Sequence, residues 1–305
     1  MPIPEGVVPP LITPLTVDGE VDKDSLTGLV NLLVDSGVDG LFPLGSSGEV
    51  SFLNSAQRRD VLETVVDAAR GRVPVLAGAI DSSRNRVLEN AQMAADVGAD
   101  FVVVTAPFYA KVNAEDIEAH FRSVAADSPL PVVAYDIPVN VGHKLDSEML
   151  VRLGMDGQIV AVKDSSGQAF PFRLLAMRNK EAGSPLTLLT GTEVVVDADI
   201  LLGADGVVPG LANVAPKDYV RLFQLASEGL WDEARILQER LINLFQIVEA
   251  DPDLTGPAQA IGAFKEAMVI QGFIANASTS SPSRPLSAEA KEKISDIVTA
   301  HLDQD

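Results

Sequence analysis

The chain contains no cysteine and only three histidines, His120, His143 and His301. The lack of cysteine excludes a disulfide framework, a thiolate zinc site and a cysteine nucleophile. The histidines lie far apart in the sequence, and none falls in an HExxH or similar spacing, which argues against a histidine-rich metal site. We therefore expect a protein whose chemistry requires neither a thiol nor a metal.

Basic residues are also scarce: 23 Lys and Arg stand against 43 Asp and Glu, giving a net charge of −20. A surface this acidic repels phosphate backbones, so nucleic acid is not an expected partner. No apolar run approaches the roughly 18 residues that a membrane span requires. The N-terminal segment MPIPEGVVPP lacks the basic and apolar regions of a signal peptide. The sequence thus predicts a cytoplasmic protein that does not enter a membrane.

Short apolar runs alternate with longer amphipathic stretches along most of the chain. Continuous Val, Ile and Leu runs are typical of parallel strands that are covered on both faces. The predicted strands are Gly6–Ile12, Gly40–Leu44, Pro74–Ile80, Asp100–Ala106, Leu130–Tyr135, Gln158–Lys163, Leu186–Gly191 and Asp205–Gly210. The predicted helices between and after them are Lys23–Ser36, Ser55–Arg70, Asn85–Val97, Ala114–Ala126, Asp146–Leu153, Ala169–Lys180, Glu193–Leu202 and Pro216–Glu228.

Eight strand–helix units predict an α/β fold, a (β/α)₈ TIM barrel, over residues 1–228. A doubly wound sheet is the alternative, but no GxGxxG motif follows the first strand. Residues 229–305 are helical in period and predict a C-terminal helical extension, with helices over Leu230–Val248, Gly256–Gly272 and Ala288–Leu302. A Gly-x-Asp motif, at residues 37–39, 98–100 and 203–205, precedes three of the predicted strands, and its glycine ends the preceding helix.

Two reactive side chains fall at the ends of neighbouring predicted strands, Tyr135 and Lys163. Barrel enzymes build their active sites at these carboxyl ends. A lysine amine is nucleophilic only when it is neutral, and burial disfavours the ammonium form. A neutral amine can condense with a ketone, and the resulting iminium draws electrons from a neighbouring carbon–carbon bond. A lysine that merely extends into solvent and a tyrosine that only packs are the alternatives.

The segment GSSGE at residues 45–49 places two hydroxyls between glycines just before a predicted helix. Backbone N–H groups and serine hydroxyls in such a turn can bind a carboxylate. Ser/Gly turns are also common in ordinary loops. The position of this turn at the same mouth as Lys163 favours the binding interpretation.

Four motifs together, GSSGE at 45–49, PFY at 107–109, YDIP at 135–138 and VKDSSG at 162–167, resemble those of the dihydrodipicolinate synthase/N-acetylneuraminate lyase family. They match in order and spacing, and the resemblance covers essentially the whole chain. It implies Schiff-base chemistry on pyruvate or a pyruvate-containing sugar acid, without a metal or nucleotide cofactor.

Carried over by position, the resemblance implies that Lys163 forms the imine and that Tyr135 transfers protons. Ser46 would join a proton relay, and Ser47 would hold the carboxylate of the 2-oxo acid. Tyr109 matches a tyrosine that enters a neighbouring subunit's site, which implies a homodimer or homotetramer. Further substrate-binding residues on this reading are Val208, through its backbone carbonyl, with Asn140, Ser165 and Gly191.

The sequence departs from the synthases that make the lysine precursor at Asn140, where they carry an arginine that binds the carboxylate of the second substrate. Tyr135 is followed by Asp136 where asparagine is usual, and Ser46 stands where threonine is usual. These departures favour an aldolase or dehydratase acting on a 2-keto-3-deoxy sugar acid, such as 2-keto-3-deoxygluconate. The alternatives are 4-hydroxy-tetrahydrodipicolinate synthase, which condenses pyruvate with aspartate semialdehyde, and a non-catalytic barrel that binds small acids.

Overall fold

A computed structural model describes residues 3–280 and 282–303 of the chain. Its core is a parallel sheet of seven strands in the order β1-β7-β6-β5-β4-β3-β2. The strands are β1 (Gly6–Val7), β2 (Leu76–Gly78), β3 (Phe101–Thr105), β4 (Val132–Asp136), β5 (Ala161–Asp164), β6 (Thr187–Thr190) and β7 (Gly206–Val207). All but one of their residues are buried, as the continuous apolar runs predict.

The predicted strand Gly40–Leu44 closes this sheet into a barrel. Phe42 bridges Pro10 on one side and Leu41 bridges Val75 on the other, both in parallel orientation. The N–H of Leu76 donates to the carbonyl of Leu41 over 2.8 Å. A Cβ atom at Gly78 would collide with the backbone oxygen of Leu44, so this close approach requires glycine. The (β/α)₈ TIM barrel is confirmed, and the doubly wound alternative is wrong.

The helices surround the barrel and continue beyond it. They are α1 (Lys23–Asp35), α2 (Ser55–Ala69), α3 (Arg84–Val97), α4 (Ala114–Asp127), α5 (Pro138–Val141), α6 (Ser147–Met155), α7 (Ala169–Glu181), α8 (Val196–Leu202), α9 (Pro216–Ser227), α10 (Trp231–Phe245), α11 (Pro257–Ile270) and α12 (Ala288–Leu302). Short 3₁₀ helices span Gly210–Asn213 and Gln246–Glu249. In the described part of the chain, no helix is both long enough and apolar enough to cross a membrane.

The structure differs from the predicted helices at α8, which begins at Val196 rather than at Glu193. The loop before it is held by side chains that periodicity does not reveal. The backbone carbonyl of Glu193 accepts from the hydroxyl of Tyr219 over 3.1 Å, and the amide oxygen of Gln238 accepts the N–H of Val196 over 2.7 Å. These contacts keep Glu193 at the strand end, outside the helix.

The Gly-x-Asp motifs have a structural function that recurs around the barrel. Gly98 and Gly203 end their helices with φ of 92° and 109°, in the left-handed region. Each aspartate that follows accepts an N–H from within or directly before a neighbouring strand: Asp39 from Val7, Asp100 from Val75 and Asp205 from Leu188, over 2.8–2.9 Å. The motif therefore joins each helix end to the sheet.

The helices after residue 228 pack on the barrel and on each other. Helix α10 contacts α8 and α9, and α11 contacts the 3₁₀ helix Gly210–Asn213 and α12. This packing agrees with the expected C-terminal helical extension. The division of the chain into residues 1–228 and 229–305 as two domains stays a prediction.

Candidate active site

Lys163 and Tyr135 are paired directly across strands β5 and β4. Both side chains are buried, with 5% and 3% of their surfaces exposed. The Nζ atom of Lys163 lies 4.2 Å from the centroid of the Tyr135 ring. The amine is therefore inside the barrel beside the phenol and not in bulk solvent.

Phe42 forms a second wall around this amine. Its ring centroid lies 4.7 Å from Nζ of Lys163 and 6.0 Å from the centroid of Tyr135, with the two rings nearly perpendicular. Aromatic faces at this distance attract a cation. The pocket can thus hold a positively charged nitrogen although it contains little water-exposed surface.

Gly191 and Ser165 lie against the other side of Lys163. A Cβ atom at Gly191 would collide with the hydroxyl oxygen of Ser165 and would come within 3.3 Å of Cε of Lys163. Any side chain at position 191 would therefore displace the serine and crowd the lysine stem. Val208, which is also buried, donates its N–H to the carbonyl of Thr190 over 2.7 Å and so lies next to this group.

The GSSGE turn reaches the same mouth from the opposite side. The amide of Asn140, in helix α5, donates to the hydroxyl oxygen of Ser46 over 3.3 Å. Ser47 follows Ser46 in the turn, and both serines are partly buried. The structure therefore brings two predicted site residues from distant parts of the chain, Ser46 and Asn140, into contact.

A cavity of about 320 Å³ opens beside this contact. Ser46, Asn140, Thr105, Ile137 and Phe108 contribute to its wall. Its size is within the range of small-molecule sites. Neither Lys163 nor Tyr135 lines this cavity, but Thr105, which does, pairs with Tyr135 across β3 and β4.

Tyr109 is not packed inside the barrel with Lys163 and Tyr135. Its side chain is fully exposed, and its backbone has a φ of 74°. A left-handed conformation is unfavourable for a bulky residue. The ring of Tyr109 is therefore exposed to solvent on the surface of the single chain.

Sequence reasoning missed Glu193, which lies close enough to Lys163 for the two charges to interact. Burial raises the pKa of its carboxyl to about 7, although Leu211, Gly210 and Lys163 act in the opposite direction. Its Oε2 accepts the N–H of Leu211 over 2.6 Å. The sequence did hold one signal, because Glu193 lies only two residues after the predicted strand Leu186–Gly191. The periodicity instead assigned Glu193 to the start of a helix.

A second missed feature is an ion pair below the GSSGE turn. Nζ of Lys265, which is fully buried, lies 2.5 Å from Oε2 of Glu49. Lys265 also donates to the carbonyl of Ser278 over 2.7 Å, and Oε1 of Glu49 accepts the N–H of Ser280 over 2.6 Å. Burial lowers the pKa of Lys265. The segment that contains Ser278 and Ser280 is thereby attached to the turn that carries Ser46 and Ser47.

Another polar cluster includes Asp164, the residue that follows Lys163 in β5. Lys144 forms ion pairs with the buried Asp136 and with Asp164, its Nζ lying 3.1 Å from Oδ2 of Asp164. Burial raises the pKa of Asp136 to about 6, and the charge of Lys144 limits this rise. No group of three His, Asp or Glu side chains among residues 3–280 and 282–303 is arranged to hold a metal ion.

Comparisons with known proteins find relatives over nearly the whole length of the chain. A family model described as the dihydrodipicolinate synthetase family matches residues 3–301. The 4-hydroxy-tetrahydrodipicolinate synthase of Methanopyrus kandleri is 33% identical over 98% of this chain and 95% of its own. The probable 2-dehydro-3-deoxy-D-pentonate aldolase YjhH of Escherichia coli is 30% identical over 97% of this chain and 96% of its own.

Among solved structures, the chain is similar to YagE, a prophage protein of the dihydrodipicolinic acid synthase family from Escherichia coli K12, solved in complex with pyruvate. The two share 29% sequence identity and superpose with a TM-score of 0.90, covering 98% of both chains. The sequence and structural comparisons therefore point to one family over the full length of the chain.

Proposed function

The chain belongs to the dihydrodipicolinate synthetase family, a family of lyases and aldolases, and on that premise we propose that Lys163 forms a Schiff base with a 2-oxo acid. The reaction would make or break a bond in a 2-keto-3-deoxy sugar acid, as an aldolase or a dehydratase. The observation that carries the proposal is the buried amine of Lys163, 4.2 Å from the ring of Tyr135.

The aromatic surroundings of Lys163 suit the cation that such a reaction forms. A neutral amine would attack the keto carbon, and loss of water would leave a protonated imine. The faces of Phe42 and Tyr135, 4.7 and 4.2 Å from Nζ, would stabilise this cation. In the cleavage direction the C4 hydroxyl of the sugar acid would lose its proton and the C3–C4 bond would break, so that an aldehyde leaves and the bonding electron pair passes to the iminium. The resulting enamine would be protonated at C3, and hydrolysis would then release pyruvate and the amine of Lys163.

The remaining roles are those that the family resemblance implies for these residues. Tyr135 would move protons to and from the substrate, with Ser46 in the relay. Ser47 in the glycine turn would hold the carboxylate of the 2-oxo acid. Ser165, Gly191 and the carbonyl of Val208 would line the part of the pocket around Lys163.

The choice of a sugar acid over aspartate semialdehyde is based on Asn140. This side chain is neutral, lines the cavity and donates to Ser46, so it offers no cation for a second carboxylate. A synthase and an aldolase are both among the relatives of the chain, so overall similarity does not separate these reactions. The neutral side chain at position 140 therefore favours an aldolase or dehydratase over the synthase.

The exposed ring of Tyr109 supports an assembly of at least two subunits. A fully exposed aromatic residue with a strained backbone is explained if the ring inserts into a neighbouring chain. We expect sedimentation to show a dimer or tetramer that Tyr109→Ala weakens. A variant that sediments like the native protein would remove this role.

Reduction with borohydride in the presence of pyruvate tests the central step. We expect a covalent adduct that peptide mapping places on Lys163 and that Lys163→Ala lacks while remaining folded. Lys111→Ala, at an exposed lysine, serves as the matched control and should still form the adduct. If pyruvate binds but no adduct forms, the non-catalytic barrel becomes the better description. Robust turnover of aspartate semialdehyde would favour the synthase.

A further inference from the structure

Thr105 is a polar side chain in the barrel that none of the roles above uses. It pairs with Tyr135 across β3 and β4, and Tyr135 pairs with Lys163 across β4 and β5. Residues paired in register on parallel strands extend from the same face of a sheet. Thr105 therefore lies in the same layer of the barrel as the phenol and the amine.

The hydroxyl of Thr105 is buried, and no residue in the ranges 3–280 and 282–303 hydrogen-bonds to it. The side chain is 2% exposed. The three residues before it in the strand are valines, and a valine at position 105 would fill the same volume without a polar group. A buried hydroxyl without a protein partner costs free energy, and the adjoining cavity offers room for a group that could pair with it.

The cavity wall identifies the chemistry of that partner. Thr105 lines the cavity together with the neutral polar residues Ser46, Ser51 and Asn140. The one charged residue of this wall, Glu49, is already paired with Lys265. Neutral groups that both donate and accept hydrogen bonds suit the hydroxyls of a sugar chain rather than a second carboxylate.

We propose that Thr105 binds a hydroxyl group on the aldehyde-derived part of the substrate and so makes the enzyme selective for hydroxylated aldehydes. This inference rests on the proposed function, because it assumes that the keto-acid part is held on Lys163. A threonine that only packs at the strand end is the alternative, and the two differ in how they affect substrates with and without the hydroxyl.

Pyruvate with glycolaldehyde or with acetaldehyde provides the test, because the two aldehydes differ by one hydroxyl. We would measure kcat/KM for both aldehydes with the native protein, Thr105→Val and Thr105→Ser. The ratio of kcat/KM for glycolaldehyde to kcat/KM for acetaldehyde is then compared between the proteins. This comparison cancels the intrinsic difference in reactivity of the two aldehydes. We expect Thr105→Val to lower this ratio about tenfold, equivalent to about 1.4 kcal/mol, and Thr105→Ser to keep it near the native value.

Two results would overturn the inference: an equal loss on both aldehydes with Thr105→Val, or a ratio with Thr105→Ser as low as with Thr105→Val. Borohydride trapping of pyruvate on Lys163 is run on the same proteins. If the adduct forms and the ratio does not change, this inference fails and the proposed function stands. If the native protein forms no adduct, the proposed function fails. Should Thr105→Val not form the adduct, Thr105→Ala replaces it as the hydroxyl-free variant under the same criteria.

Discussion

Replacing Lys265 with methionine should destabilise the protein strongly, because it would leave the carboxylate of Glu49 buried without its cation. Lys265 is fully buried and pairs with Glu49 over 2.5 Å, while also satisfying the carbonyl of Ser278 over 2.7 Å. After the substitution, the N–H of Ser280 would be the remaining hydrogen-bond partner of the Glu49 carboxylate within residues 3–280 and 282–303. Removal of one partner from a buried ion pair costs about 3–5 kcal/mol.

The double variant Glu49→Gln/Lys265→Met separates the lost charge pairing from lost packing. Glutamine is neutral and can still accept the N–H of Ser280, so no uncompensated charge would remain. We expect the double variant to be more stable than Lys265→Met alone by about 2–4 kcal/mol, since a buried pair can be replaced by neutral residues at small net cost. Such a recovery is a coupling between the two sites.

The matched control is Lys291→Met, which breaks the partly exposed pair of Lys291 with Glu266 near the same helices. An exposed pair contributes about 0–1 kcal/mol. Urea unfolding would be followed by circular dichroism and by the fluorescence of Trp231, the only tryptophan, which lies at the start of α10. A loss below about 1 kcal/mol for Lys265→Met, or no recovery in the double variant, would refute the reasoning.

Three further predictions concern the site. Tyr135→Phe should still trap pyruvate with borohydride but turn over about 10²–10⁴-fold more slowly, as expected for loss of a proton-transfer group. Glu193→Gln should flatten the dependence of stability on pH. Burial raises the pKa of Glu193 from 4.5 to about 7, so the native protein has stability below pH 4.5 that it loses as the pH rises through 7. The loss should be roughly 1–3 kcal/mol once screening by solvent is included. Lys144→Met should destabilise the protein more at pH 8 than at pH 5, since Asp136, whose pKa is about 6 in the native protein, is ionised only at the higher pH.

Each of these predictions has an outcome that contradicts it. Native turnover by Tyr135→Phe would remove the phenol from the mechanism. Identical stability–pH curves for Glu193→Gln and the native protein, measured by urea unfolding between pH 4.5 and 8, would show that this carboxyl does not titrate as described. For Lys144→Met, adding Asp136→Asn should restore stability at pH 8, and failure to do so would show that the ion pair is not the cause.

The sequence by itself determined the barrel and the location of its reactive residues. Continuous apolar runs identify strands buried on both faces, and eight such runs separated by helices leave few arrangements other than a closed barrel. The carboxyl ends of those strands then lie at one mouth, which places Lys163 beside Tyr135 because their strands are consecutive. Local pattern and chain order suffice for these features.

The tertiary structure alone decided which distant groups meet. Lys265 pairs with Glu49 across 216 positions of the chain, and Phe42 covers Lys163 from the strand that closes the barrel. Periodicity also placed Glu193 in a helix, whereas contacts with Tyr219, Gln238 and Leu211 hold it at the strand end. Such pairings depend on where closure brings side chains in three dimensions, and a one-dimensional pattern of polar and apolar residues carries no information about that.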